Sequence, residues 1–313
     1  MATTKPTTAA GYSADQTLAC ERALISLLRG LGTIKHSLRL VGGLVPRYLT
    51  PEMPPAVPAH AGTSDVDIVL NLQLLADGDA YRSLADQLKA QGFERAVNHQ
   101  GRPTGWRWQR QVAKNEYVVI EFLRDADEKL APGKVGSVEG ESISALAIKH
   151  VGIVHDWYAE REITAELPDG AGNTTETIRF ADVAAFIVLK ALAYDDRHEN
   201  KDAADLVHVM RYSGALEAVA AQFIEKIASG KHREATDAAL DALQRRFCDT
   251  KDVEGYLRDG PIAAARFLHT DQPQFEEQRV LEQRNVSGMI AAFLELVAEG
   301  RDTLATPSMQ FTT

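Results

Sequence analysis

Cysteine is scarce in this chain: 313 residues hold two, Cys20 and Cys248. Two thiols so far apart give neither a disulfide framework nor a zinc site, so a cytoplasmic protein is expected. Long apolar runs are also missing. No stretch reaches about 18 uninterrupted apolar residues, so no membrane-spanning helix is expected. The opening MATTKPTTAAGYSAD lacks the apolar core of a secretory signal. Basic charge is in deficit, with 34 Lys and Arg against 44 Asp and Glu and a net charge of −10. The field of the whole molecule repels polyanions, so any nucleic-acid contact requires a local basic patch. Neither G-x-S-x-G nor G-x4-GK[ST] occurs, which argues against a serine hydrolase and a P-loop enzyme. The histidines show no metal-ligand spacing apart from His150-x4-His155, which does not fall on one helical face. There is no internal repeat.

What remains is ordinary globular composition, 45% apolar and 25% charged, at a length that suggests two domains. Residues 1–13, rich in Thr, Ala and Pro, read as a mobile tail. Residues 14–30 carry apolar residues at helical spacing and end in Gly30. Strands are expected at 38–42, 66–72, 105–112 and 117–123, with a helix over 79–91 ending at Gly92. Residues 51–62 hold four prolines and read as a loop. Residues 125–142 read as a charged, Gly-rich loop, and 144–154 carry no clear period. Gly170 and Gly172 mark a hairpin between ITAEL and TIRF, and Asp182 is placed to cap the helix that follows. Helices are expected near 201–213, 215–228, 231–247 and 276–299. The pattern is α/β (α+β), a mixed sheet with helices over 14–180 followed by a mostly helical domain over 181–313.

The strongest chemical signal is Val41-Gly42-Gly43 followed by Thr63-Ser64-Asp65-Val66-Asp67-Ile68-Val69-Leu70. A strand has a side-chain period of two, so Asp65 and Asp67 point to the same side of the sheet. Two carboxylates so close repel unless a cation lies between them, and Mg²⁺ favours such hard oxygen ligands together with substrate phosphates. For a lone D-x-D, two solvated aspartates at a strand start would be the simpler account. Paired glycines after a strand, however, let backbone N–H groups approach a phosphate. A third acid is offered by Glu121, which sits inside the apolar strand VVIEFL, where a carboxylate is costly unless paired or metal-bound. A structural salt bridge would meet the same need, and Asp125 is the alternative acid.

The order strand, Gly-Gly, helix, loop, D-x-D strand and later acid resembles the nucleotidyltransferase fold of DNA polymerase beta. A second motif runs Lys190-x6-Arg197-x3-Lys201-Asp202-x2-Asp205. If helical throughout, it sets Lys190, Tyr194, Arg197, Lys201, Asp205 and His208 on one stripe. Surface ion pairs such as Lys201–Asp205 would account for much of that stripe. Lys190, however, lies inside the apolar FIVLKALAY, where a buried cation needs an anion, and a triphosphate would serve. Together the two motifs resemble the AbiEii-type nucleotidyltransferases, toxins of type IV toxin–antitoxin or abortive-infection systems.

The resemblance implies a Mg²⁺-dependent enzyme that transfers NMP from a nucleoside triphosphate. It implies Asp65, Asp67 and Glu121 as metal ligands. It also implies a nucleotide site of Gly42, Gly43, Thr63, Ser64, Lys190, Arg197 and Lys201, with Arg47 as a further candidate for phosphate charge. Asp65, Asp67, Lys190, Asp202 and Asp205 are the implied catalytic residues, with the base role at Asp202 or Asp205. The implied acceptor is RNA, tRNA in several such toxins, and the implied protein partner is a cognate antitoxin. Phosphorylation at Thr63 or Ser64 would set negative charge against the metal site.

A local basic patch does exist. Residues 95–115 carry Arg95, Arg102, Arg107, Arg110 and Lys114 with no acid, interleaved with His99, Trp106 and Trp108. Such a mixture contacts phosphates and stacks on unpaired bases, which makes Arg102, Trp106, Arg107 and Arg110 candidate nucleic-acid contacts. Tryptophans in a sheet core beside a solvated basic face would look the same. Two alternatives stand beside RNA transfer: the same chemistry on a small molecule, as in antibiotic adenylyltransferases, and a non-catalytic nucleotide-binding module of the same fold.

Overall fold

A computed structural model of the chain describes residues 5–76, 83–114, 116–170 and 172–305. It is a mixed α/β protein with a sheet-bearing part followed by a helical part. By internal contact it divides into Met1–Phe186 and Ile187–Thr313.

The first unit opens with a 3-10 turn at Ala9–Gly11 and then α1 (Ala14–Gly30), where the Ser13 hydroxyl accepts from Gln16 N–H at 3.0 Å as an N-cap. There follow β1 (Leu38–Val41), the 3-10 turn Gly42–Leu44, α2 (Pro46–Leu49), β2 (Asp65–Leu70), α3 (Leu72–Ala76) and α4 (Leu84–Ala90). Next come β3 (Glu94–Val97), β4 (Pro103–Ala113), β5 (Glu116–Asp125), β6 (Val135–Ser137), β7 (Ser144–Ile148), β8 (Tyr158–Glu166) and β9 (Asn173–Ala181). Among the described residues these nine strands form one sheet, in the order β3-β4-β5-β2-β1-β9-β8, with β7 on β5 and β6 on β7. The pairs β2–β5 and β1–β9 are parallel, while β1–β2, β4–β5 and β8–β9 are antiparallel.

Alternation along β2 gives the sheet two different faces. Ile68 pairs with Leu40 in register, and both gather with Leu38 and Ile178 around Leu24 and Leu28 of α1. That apolar face is covered by the helix. Asp65 and Asp67 lie in the opposite phase and point to the other face. Burial of these Leu and Ile side chains, at about 1.5–3 kcal/mol each, fixes the register and with it the direction of both aspartates.

The second unit holds all but the first turn of α5 (Val183–Arg197), then α6 (Asn200–Tyr212), α7 (Leu216–Ala228), α8 (Arg233–Phe247), α9 (Asp259–His269) and α10 (Glu276–Ala305). Asp182 caps α5 as expected, its Oδ1 accepting from Ala185 N–H at 2.9 Å. The long α10 packs against α7, α8 and α9. Phe223 meets Phe293 edge-on at 5.4 Å, and Tyr194 meets Phe247 at 5.6 Å, in a core of buried aromatics. No described helix is long and apolar enough to cross a membrane.

Several expectations change. The stretch 190–208 is two helices rather than one. The chain turns at His198, which has a left-handed φ of 56°, and α6 begins two residues later, so the single stripe drawn through both is broken. The expected loop over 125–142 contains β6, which pairs with β7. The unassigned stretch 144–154 becomes β7 and a 3-10 turn. Helix α9 was not anticipated. The helix expected over 79–91 is present as α4, and its positions 79–82 lie outside the described residues, as do residues 1–4 of the expected tail.

Candidate metal centre

The Asp-x-Asp strand and the Glu121 strand are immediate neighbours. In the parallel β2–β5 pair, Asp67 stands directly across from Glu121. On the other side of β2, Asp67 pairs with Val41, the last residue before the Gly42-Gly43 turn. Glu121 in turn stands across from Arg107 of β4. Residues paired in register share a face, so one row across four strands reads Val41, Asp67, Glu121, Arg107, with Asp65 one pleat away on the same side.

Asp65, Asp67 and Glu121 each present a carboxylate oxygen within 4.8 Å of the others. Asp65 is buried, and the other two are partly so. Of the two candidate third acids, the structure selects Glu121. Asp125, at the far end of β5, lies against Gly152 instead. Burial and the neighbouring Asp65 push the Glu121 carboxyl above its usual value. The donor set fits a hard divalent cation: three carboxylates converging on one another. Such a cation would relieve the repulsion among three like charges.

Basic side chains of the described residues answer that charge. Arg107 Nε lies 3.0 Å from Glu121 Oε1. Lys5 Nζ lies 2.5 Å from Asp65 Oδ2. Burial opposes the Lys5 ammonium, but Asp65, Asp67 and Glu121 together hold it more firmly protonated than an ordinary lysine.

The surroundings fix the carboxylates. The Thr63 hydroxyl donates to Asp65 Oδ1 at 2.9 Å, and Thr63 N–H donates to Thr17 Oγ1 of α1 at 3.1 Å. Thr63 is therefore buried and engaged, while Ser64 beside it is half-buried. Gly42 has φ of +75°, and its α-carbon lies so close to Asp67 that no side chain fits there. Gly43 is buried in the same turn. Arg47, on α2, is bound by Glu21 through Nε at 2.9 Å, and Tyr48 donates its hydroxyl to the same carboxylate at 3.0 Å.

The second motif forms a closed ion cluster in the helical unit. Lys190 is buried, with Nζ at 2.8 Å from Asp202 Oδ1 and 2.6 Å from Asp205 Oδ2. Arg197 Nε donates to Asp202 Oδ2 at 2.6 Å, and Lys201 Nζ to Asp205 Oδ1 at 2.7 Å. The anion that buried Lys190 requires is thus present in the chain itself. Burial works against the charge on Lys190 and on Asp202. Their mutual pairing prevails, so the lysine is held above its usual value and the aspartate below it.

The basic and aromatic stretch divides. Trp108 is fully buried and donates Nε1 to Gly105 O at 3.1 Å, so it is sheet core. Arg107, expected on a surface for RNA, is turned to Glu121, because its register position places it in the acidic row. Arg110 donates to Ser26 Oγ of α1 at 2.5 Å. Arg102 is exposed and Trp106 half-exposed. Lys5 is the member of the site that sequence reasoning missed, since a single lysine in a Thr- and Pro-rich segment carries no periodic signal.

No family model matches the sequence, and no curated protein is significantly similar to it.

Proposed function

We propose that this protein is a Mg²⁺-dependent nucleotidyltransferase that moves NMP from a nucleoside triphosphate to a hydroxyl of an acceptor. The observation that carries this reading is the convergence of Asp65, Asp67 and Glu121 on one face of adjacent strands, beside the Gly42-Gly43 turn. Bound Mg²⁺ would supply Lewis-acid polarisation of the transferring phosphate and neutralise triphosphate charge. The chain supplies position. Asp65, Asp67 and Glu121 would hold the ion, and the Thr63 hydroxyl keeps Asp65 in one rotamer. The Gly42-Gly43 turn lies against Asp67 and so helps fix where that carboxylate sits. Asp202 and Asp205 enter this proposal as partners of Lys190, Arg197 and Lys201 rather than as bases, since their oxygens are already committed to those cations.

For the acceptor we favour RNA, with exposed Arg102 and half-exposed Trp106 as its first contacts. By the family resemblance the protein acts as the toxin of a two-gene pair with a cognate antitoxin. Two observations favour a small-molecule acceptor instead: Arg107, Trp108 and Arg110 are engaged inside the fold, and the net charge is −10. Label transfer separates the readings. Protein is incubated with Mg²⁺, total tRNA and each α-³²P-labelled nucleoside triphosphate in turn, beside Asp65→Ala/Asp67→Ala. Label on tRNA that disappears in the variant supports the RNA enzyme. Nucleotide binding without label on RNA would point to a small acceptor or a non-catalytic module.

A further inference from the structure

The cation nearest the acidic cluster comes from the segment that precedes the first helix. Lys5 reaches Asp65 Oδ2 at 2.5 Å, and the same ammonium is within electrostatic reach of Asp67 and Glu121. Its path is not an extended arm. The Tyr12 hydroxyl donates to Pro6 O at 3.3 Å, Gly11 N–H donates to Thr8 O at 3.1 Å, and Tyr12 N–H donates to Ala9 O at 3.1 Å. A side chain at Gly11 would lie 2.4 Å from Pro6 Cβ, so Pro6 folds directly onto the 3-10 turn. Ser13 then caps α1. The segment is therefore a compact strap with its origin fixed at the helix start and its lysine delivered to the carboxylates. The Lys5 side chain keeps 58% of its surface exposed, so it sits over the site and can leave without unpacking the core.

We propose that Lys5 is a tethered counter-ion that occupies the cation position of the Asp65–Asp67–Glu121 cluster and must be displaced before a divalent ion binds, making the strap an autoinhibitory plug. The inference rests on the metal-site reading above. The physics is competition. An ammonium supplies one charge and three donors in no fixed geometry, whereas a divalent ion supplies two charges and accepts several oxygens at once. Tethering gives the lysine an effective concentration on the order of millimolar, comparable to the free metal it opposes. The site is thereby quiet at low metal and opens when metal, alone or carried on a nucleotide, outcompetes the strap.

The experiment is Mn²⁺ binding to the full chain, read by the electron paramagnetic resonance signal of free Mn²⁺, for the wild type, Lys5→Ala and Asp65→Asn. It is paired with acylation of Lys5 by an N-hydroxysuccinimide ester, read by mass spectrometry with and without Mn²⁺. Expected is Mn²⁺ affinity raised up to about fivefold in Lys5→Ala, the change that loss of a competing part-exposed ion pair implies. Binding should be lost in Asp65→Asn, and Lys5 should be labelled several-fold faster once Mn²⁺ is present. Equal affinity of wild type and Lys5→Ala through an intact Asp65 site overturns the plug and leaves the metal centre standing. Labelling of Lys5 at one rate with and without Mn²⁺ overturns it too. Absence of binding in both wild type and Lys5→Ala overturns the plug together with the metal centre beneath it.

Discussion

A β-carbon built on Gly42 lies 2.0 Å from Asp67 Oδ2. The turn that follows β1 and the second acid of the Asp-x-Asp strand are thus in direct contact, so the glycine and the carboxylate define one site. Gly42→Ala has two costs: a left-handed φ, worth about 1–2 kcal/mol for a residue with a β-carbon, and displacement of Asp67. We expect Mn²⁺ affinity to fall by about tenfold or more, as a shift of about 1.4 kcal/mol implies, with the circular dichroism spectrum retained. Unchanged Mn²⁺ binding in this variant would mean that Asp67 is not a ligand.

The Arg107–Glu121 pair leads to a second prediction. In the metal-free protein Arg107 offsets part of the repulsion among three carboxylates. Replacing it by Met keeps the aliphatic stem and removes the charge. The metal-free variant should lose about 1–3 kcal/mol, the range for a partly buried charge left without its partner. A divalent ion takes over the same neutralising task, so Mg²⁺ should raise the melting temperature of Arg107→Met by more than it raises that of the wild type. Equal Mg²⁺-induced shifts, measured by differential scanning fluorimetry, would show that Arg107 does not serve the cluster.

Much of this site can be read in the sequence because local rules govern it. The period of two puts Asp65 and Asp67 on one side, and a carboxylate inside VVIEFL demands a partner, which is how Glu121 is found. What the sequence does not carry is non-local register. Nothing in GWRWQRQV states that β4 pairs with β5 so that Arg107 faces Glu121, and Arg107 therefore reads as an outward basic residue. Lys190 shows the same limit. Its need for an anion is legible from FIVLKALAY, but Asp202 and Asp205 come back to it only because the chain breaks at His198, and helical periodicity reads straight through that break. In α9 the Gly260-Pro261 pair resembles a turn, although proline is tolerated in the first turn of a helix.

Lys190 gives a third prediction, on stability. Removing Lys190 breaks two buried ion pairs at once, and breaking a buried pair costs about 3–5 kcal/mol. Lys190→Met should lower the urea midpoint accordingly, because Asp202 and Asp205 would remain buried at 2% and 0% exposure without the cation they share. Arg197 and Lys201 still answer the two aspartates in this variant, so Asp205→Asn added to it should cost less than it costs in the wild type, where Asp205 also serves Lys190. Unfolding energies that simply add in the double variant would deny the pairing.

The pH dependence of stability in the helical unit follows from the same cluster and from one thiol. Asp202 is held below its ordinary value of 3.8: burial raises it, while Lys190 and Arg197 lower it further than burial can raise it. Its contribution is complete above 3.8 and is lost as pH falls from there through the depressed value. Lys190 is held above 10.5, so its contribution is complete below 10.5 and disappears only as pH rises through the raised value. The alkaline limit is reached sooner, at Cys248. Burial pushes this thiol from 9.0 up to about 11, with Asp249 and Glu295 adding to the shift. Between those values the unfolded chain has released the proton and the folded chain retains it, so stability falls with rising pH. At 1.36 kcal/mol for each pH unit the decline amounts to about 2–3 kcal/mol. Cys248→Ala loses some packing at every pH but has no thiol to ionise. Its stability difference from the wild type should therefore shrink steadily between pH 9 and pH 11 in urea titrations. A difference that stays constant across that range would show that the Cys248 thiolate is tolerated in the fold.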